Sequence, residues 1–316
     1  MLSDKEWGEK WFAGLPLVAK GESKEVRYIG GGRVAIRLLP TVYSYTYNRY
    51  AVIPGSDKLR LRACKVLVEV LREMGIAHAY EHIGTNYIFA RLVLPTSAET
   101  AKYGTPEFVP LDLTKTDMQK VLRAPPIEVI IKNNLSGTTP KTCHFLAGAR
   151  VRASHRKYAG YVLLADERLP ERVIRFDWRN PLRSREQGEL VAGRILSGYD
   201  SDDPVLREHI VDETSRLPDV PFSDFADWFI DTTAARPTAR AVADVLETFL
   251  GSKGIAIYDL CLFIDELGTT VFGEISPDCG RFRAADGSLD KDVWRAGGSH
   301  ADVLRKWEVF CERIGA

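Results

Sequence analysis

Charge of one sign is what this chain of 316 residues most plainly lacks: 43 lysines and arginines meet 43 aspartates and glutamates, for a formal net charge of zero. A nucleic-acid binder carries a basic surplus, so that class is set aside. Local anion sites stay open, because a few cations in a cleft need no net charge. No CxxC pair occurs among Cys64, Cys143, Cys261, Cys279 and Cys311, an odd and scattered set, which indicates neither a zinc ribbon nor a disulfide framework. No run approaches the roughly eighteen apolar residues that a membrane span needs. The opening MLSDKEWGEKWF carries acids and has no apolar stretch of signal-peptide length. The expectation is a reducing, cytoplasmic setting with no membrane or nucleic-acid partner. GxGxxG, GK(S/T) and HExxH are all missing, as are internal repeats and low-complexity tracts.

What is present reads as mixed strands and helices. Residues 17–39 read as strand, turn and strand around Gly30-Gly31-Gly32, with Arg33 to Leu38 alternating as a half-buried strand does. With no helix after it, the glycine run is a hairpin turn rather than a phosphate loop. Residues 59–74 predict a helix that stops at Gly75, with Leu61, Cys64, Val68 and Leu71 on one face. His78 and His82 follow at a spacing that holds a metal only on a helix, and Gly75 has just ended one. Pro125-Pro126 introduces a buried strand, Ile127-Glu128-Val129-Ile130-Ile131, which ends in Lys132-Asn133-Asn134. Residues 148–220 are rich in Arg, Asp, Pro and Gly, and 198–204 read as a solvated loop. A helix over 238–250, a strand over 255–264, a turn at Gly268, a strand near Val271 and a last helix over 301–313 complete the pattern. Without strict βαβ alternation, the fold class is α+β rather than a doubly wound sheet.

Three segments carry groups that can do chemistry. The sharpest is GEISPDCGRF (273–282), followed by LDKDVWR (289–295). Proline cannot continue a ladder, so the strand is expected to leave the sheet there and project Asp278 and Arg281 from an edge loop. A loop carboxylate accepts from hydroxyls or amines, and an arginine fork grips phosphate; an Asp–Arg pair that merely ties the loop fits equally well. The second segment is Lys132-Asn133-Asn134-Leu135-Ser136-Gly137-Thr138-Thr139, whose amides and hydroxyls can form an anion-accepting concavity. The third, Lys20-Gly21-Glu22-Ser23-Lys24, is either a turn over a nucleotide or a solvated turn.

In this order the three segments resemble the SAICAR synthetase family, whose enzymes join aspartate to a carboxyaminoimidazole ribonucleotide with ATP and magnesium. Glu274 to Arg281 and Leu289 to Arg295 are similar to that family's EISPD..R and LDKD.(F/W)R. Ile130 to Thr138 is similar to VVRN..AGS, Gly21 to Lys24 to GK.K, and Ile53-Pro54-Gly55 to the PGKG segment. The resemblance covers residues 17–315 and is weakest over 145–230. It implies an α+β, two-lobed fold with a smaller β-rich lobe (1–110) and a larger ATP-grasp-like α/β lobe (111–316) that carries the nucleotide site. It implies a phosphoribosyl nucleotide as ligand, contacted by Lys132, Ser136, Gly137, Thr138, Arg281 and Lys24. Asp278, Glu274 and Asp259 are the catalytic candidates, and homodimers are common in the family.

The departures fall on the ATP half. The first lysine of the turn is Glu22. In the strand resembling VDFKLEFG, Asp259 remains while Cys261 and Phe263 replace lysine and glutamate. The Asp-Glu pair before the signature is Gly273-Glu274, and the early SAFD aspartate is Thr46. Two magnesium carboxylates of the family thus stand here as Phe263 and Gly273, so no metal ligand is assigned; Asp265 or Glu266 is the alternative if the metal site is displaced. Cys261 is open to two readings, nucleophile or packed thiol. Asp177 and Arg179, within Phe176-Asp177-Trp178-Arg179-Asn180-Pro181, lie where the family seats its amino-acid substrate, so the second substrate is expected to differ or be absent. Three functions remain open. One is an enzyme repurposed for nucleoside-antibiotic chemistry of the pentostatin and coformycin type, with ATP and magnesium use weakened or lost. The others are a working ATP-dependent carboxylate–amine ligase and a non-catalytic nucleotide-binding regulator.

Overall fold

The computed structural model describes residues 8–21, 23–44, 49–95, 107–108, 113–125, 127–136, 148–178 and 226–316, excepting the side chains of 43–44, 49–50, 107–108 and 177–178. A short helix, α1 (Glu9–Gly14), leads into β1 (Leu17–Lys20), β2 (Lys24–Gly30) and β3 (Arg33–Leu38), which pair antiparallel in succession. Gly31 and Gly32 turn the β2–β3 hairpin at φ +64° and +73°, a region open to glycine at little cost. A Cβ on Gly32 would also come within 3.0 Å of the Lys120 Cβ. The glycine run is therefore a hairpin turn, as its sequence context indicated.

After the hairpin of β4 (Thr41–Ser44) and β5 (Arg49–Val52) comes α2 (Ser56–Glu73), closed by Gly75 at φ +71°. Next come β6 (Tyr80–Ile83), β7 (Ile88–Arg91), β8 (Val93–Pro95), β9 (Glu107–Phe108), the short α3 (Lys115–Met118) and β10 (Leu122–Ala124). The first sheet runs β6-β7-β3-β2-β1-β9, and β8 pairs parallel with β10 beside it. His82 lies on strand β6 and His78 bridges to Val271, so neither belongs to a helix.

The second sheet is built from β11 (Ile127–Asn134), β12 (Arg168–Trp178), β13 (Ala256–Ile264), β14 (Val271–Phe272), β15 (Gly280–Ala284) and β16 (Gly287–Ser288). Its order is β12-β11-β13-β15-β16, with β14 on β13, all pairs antiparallel. Three helices accompany it: α4 (Thr232–Ser252), α5 (Asp292–Arg295) and α6 (His300–Ile314). Helix α4 begins six residues before the 3.6-residue pattern suggested. Asp231 caps the Ala234 N–H, and Pro237 sits past the first turn, where proline normally argues against a helix.

Alternation divides the second sheet's faces. Val129, Ile131, Ile174, Phe176, Leu260 and Leu262 are buried in the main core with Ala239, Val242 and Leu246 of α4. Glu128, Ile130, Lys132, Asp259, Cys261 and Phe263 alternate with them and so occupy the other face. The same core continues through α2 and α6 into the first sheet, joining Leu67, Leu71, Trp307 and Phe310 with Val34 and Ile88. Among the described residues, no helix is long and apolar enough to cross a membrane.

Candidate functional site

Strand register builds one end of the site. Lys132 of β11 stands opposite Asp259 of β13, which stands opposite Arg281 of β15, so three charged side chains form a row across the sheet. Asp259 Oδ2 accepts from Lys132 Nζ (3.1 Å), Ser136 Oγ (3.3 Å) and an Arg281 Nη. Burial alone would raise the Asp259 carboxyl. The cations Arg281 and Lys132 more than reverse this and hold it below the ordinary aspartate range. Arg281 also donates through Nε to Asp292 (3.1 Å), which takes further donors from Arg283 (2.7 Å) and Arg295 (2.7 Å). Asp290 pairs with Arg283 and accepts the Phe282 N–H (2.7 Å), tying the 289–295 segment to β15.

This placement corrects the expectation for Arg281. It lies on β15 in ladder register with Asp259, and is not projected from an edge loop with Asp278. The strand resumes immediately after the proline turn, because Gly280 lets β15 pass close to β13; a Cβ there would meet the Asp259 carbonyl at 2.6 Å. Asp278 does remain on the loop, and its partner is Lys291 rather than arginine. Lys291 Nζ stands 3.2 Å from Asp278 Oδ1 without hydrogen-bond geometry, so that buried oxygen has no hydrogen bond among the described residues. An oxygen in this state is suited to accept from a ligand hydroxyl or amine.

Glu274, on the loop between β14 and β15, belongs to a second buried charge centre. Arg60 of α2 forks onto it through Nε (2.7 Å) and Nη2 (2.5 Å), and Ser276 Oγ donates to the same carboxylate (2.5 Å). Burial would raise the Glu274 carboxyl, but Arg60 overrides it and brings it to about 2. Further along the loop, Cys279 Sγ donates to the Glu274 carbonyl (3.2 Å). Tyr80 OH donates to the Gly273 carbonyl, and the Asp278 N–H donates to Ser276 Oγ (3.1 Å), so the loop is fixed at both ends. Lys24 stands at the start of β2, and its charge helps to lower the Glu274 carboxyl.

Just ahead of Glu274 in the chain, Phe272 and Gly273 belong to an apolar patch. Phe263 stacks on Phe272 with centroids 5.8 Å apart, in a cluster with Ala79 and Leu122. Gly273, at φ +90°, lies directly against that ring: a Cβ there would fall 2.6 Å from Phe263 Cδ2. Cys261 Sγ donates to Glu128 Oε2 (3.4 Å), and a carboxylate is the wrong neighbour for a nucleophilic thiolate. Gly137, Thr138, Arg179, Glu22 and Thr46 lie outside the described residues, as does the side chain of Asp177. Sequence reasoning missed Arg60, whose only signal is an arginine inside the apolar face of a helix.

No protein-family model matches the chain. It is similar to the bifunctional cordycepin biosynthesis cluster protein 3 of Cordyceps militaris, at 22% identity over 318 residues and 93% of this chain. The chain spans 32% of that relative's length. Among solved structures it is similar to a type-2 SAICAR synthetase in complex with ADP, at 18% identity and TM-score 0.58, covering 94% of this chain and 97% of the other. The phosphoribosylaminoimidazole-succinocarboxamide synthase of Ehrlichia chaffeensis aligns at 14% identity and TM-score 0.62, over 95% and 99% of the two chains. The SAICAR synthetase of Pyrococcus horikoshii OT3 aligns at 18% and 0.54, over 93% and 97%. The chain has the SAICAR synthetase fold.

Within that fold, the resemblance puts magnesium carboxylates at positions 263 and 273, and the residues present do not fit a divalent cation there. Phenylalanine and glycine offer no side-chain oxygen, and the ring fills the space that a side chain at 273 would need. Asp265, a displaced ligand that the sequence allows, is buried, and its Oδ1 accepts the N–H groups of Thr269 (2.9 Å) and Thr270 (2.8 Å). No cluster of three or more His, Cys, Asp or Glu able to hold a metal occurs among the described residues.

Proposed function

We propose that the protein is a SAICAR synthetase-like enzyme acting on a phosphoribosyl aminoimidazole or purine-derived nucleotide, repurposed for specialised nucleoside biosynthesis, with ATP and magnesium use weakened or lost. The observation that carries this reading is the contrast along one sheet face. The ionic row Lys132–Asp259–Arg281 is intact, while Phe263 packs into the space beside Gly273. Lys132 and Arg281 supply two cations around one carboxylate, and the phosphate of a nucleotide can bind them with Asp259 orienting both. Asp278, whose buried Oδ1 faces Lys291 without a hydrogen bond, is the group able to accept from ribose or an amine. Asp259 and Glu274 are held by cations and act by position.

Phosphoryl transfer depends on positioning and on neutralising charge with metal and lysine. An apolar plug at the metal positions removes one of those supports. The likeness to a fungal cordycepin biosynthesis cluster protein supports a nucleoside setting. The second reading, an ATP-dependent ligase, is favoured by one observation, the retention of Lys24, whose charge acts on Glu274.

The test is to incubate the purified protein with a phosphoribosyl aminoimidazole nucleotide, with and without ATP, magnesium and aspartate, and to follow products by mass spectrometry. Conversion of the nucleotide without ADP formation is expected. ADP released in step with an amide product would establish the ligase instead, and binding without conversion would leave a regulator.

A further inference from the structure

Arg60 has no side-chain role in the row that meets the nucleotide, yet it is the most enclosed charged side chain of the second centre. It lies on the core face of α2 at 0% exposure, among Leu59, Leu61 and Cys64. A guanidinium so placed needs oxygen at every nitrogen, and it has it. Nε and Nη2 fork onto the Glu274 carboxylate, and Nη1 donates to the carbonyls of Leu39 (3.0 Å) and Thr41 (3.2 Å). Four oxygens, two from a carboxylate and two from carbonyls, converge on one cation. That is the donor class a hard divalent ion takes. One residue before Glu274, the Phe263 ring fills the space that a side chain at Gly273 would take, so no carboxylate can be added there.

We infer that Arg60 is the resident cation of this site, holding the oxygens around Glu274 that a divalent cation would otherwise take, so that the 273–279 loop is ordered without metal. The inference rests on the proposed loss of magnesium use and names what stands in its place. Arg60 acts as a positioning residue. It fixes Glu274; Glu274 accepts from Ser276 Oγ, and Ser276 Oγ accepts from the Asp278 N–H, so the orientation of Asp278 follows from the guanidinium. The charge of Arg60 also reaches Asp278 and Cys279. Removing it leaves the buried Glu274 carboxylate without the cation that forks onto it.

The experiment is a titration with Mn²⁺ alone, read by the electron paramagnetic resonance of the free ion, on the full-length wild type, Arg60→Ala, Glu274→Gln and the double variant. The wild type is expected to show no Mn²⁺ site that Glu274→Gln removes. Arg60→Ala is expected to gain one site, at least tenfold tighter than any in the wild type and lost in the double variant. A wild-type site that Glu274→Gln abolishes would overturn the inference, as would a folded Arg60→Ala that gains none. Should Arg60→Ala fail to fold, the comparison of wild type with Glu274→Gln still decides. Because no nucleotide is present, failure of the nucleotide reading shows up elsewhere, in the product assay.

Discussion

At the scale of single residues, Phe263 and Gly273 have to be considered together. The ring is accommodated only because position 273 has no side chain, and the φ of +90° is one that other residues rarely adopt. Gly273→Ala is therefore expected to cost about 2 kcal/mol or more, part from backbone strain and part from the ring contact. In a Phe263→Ala background the contact part should vanish, leaving about 1 kcal/mol or more from the backbone. A double-mutant cycle by chemical denaturation checks this. Additive costs would mean that the two positions do not share one space. The sequence alone displayed both replacements, but not that one fills the room the other vacates.

At the scale of elements, the buried pair between α2 and the 273–279 loop makes stability depend on pH. Folding holds Glu274 at about 2 against an ordinary 4.5, so the unfolded chain binds that proton more tightly. Its contribution is complete above about pH 5 and is lost as pH falls toward the folded value. Denaturation curves from about pH 7 to pH 3 should show Glu274→Gln less stable at neutral pH and with a shallower acid decline than the wild type. Parallel declines would remove Glu274 as the titrating group. The helices and strands were largely legible, because periodicity and glycine stops report local structure. Arg281 was not, since its motif neighbours Asp278 in sequence while register across the sheet gives it Asp259. Arg60 was hidden for a related reason: its partner is 214 positions away.

At the scale of the whole molecule, the ionic row draws on β11, β13 and β15, while the second charge centre joins α2 to the loop between β14 and β15. The motifs drew attention to these segments, because residue types with phosphate and carboxylate chemistry recur in order along the chain. They could not show that the segments divide into two charge centres, or that Phe263 fills the space beside Gly273. The most direct measurement of the central claim is calorimetric titration of the purified protein with ATP–magnesium and, separately, with a phosphoribosyl aminoimidazole nucleotide. The account predicts binding of the nucleotide and no detectable heat from ATP–magnesium; saturable binding of ATP–magnesium at a single site would contradict it.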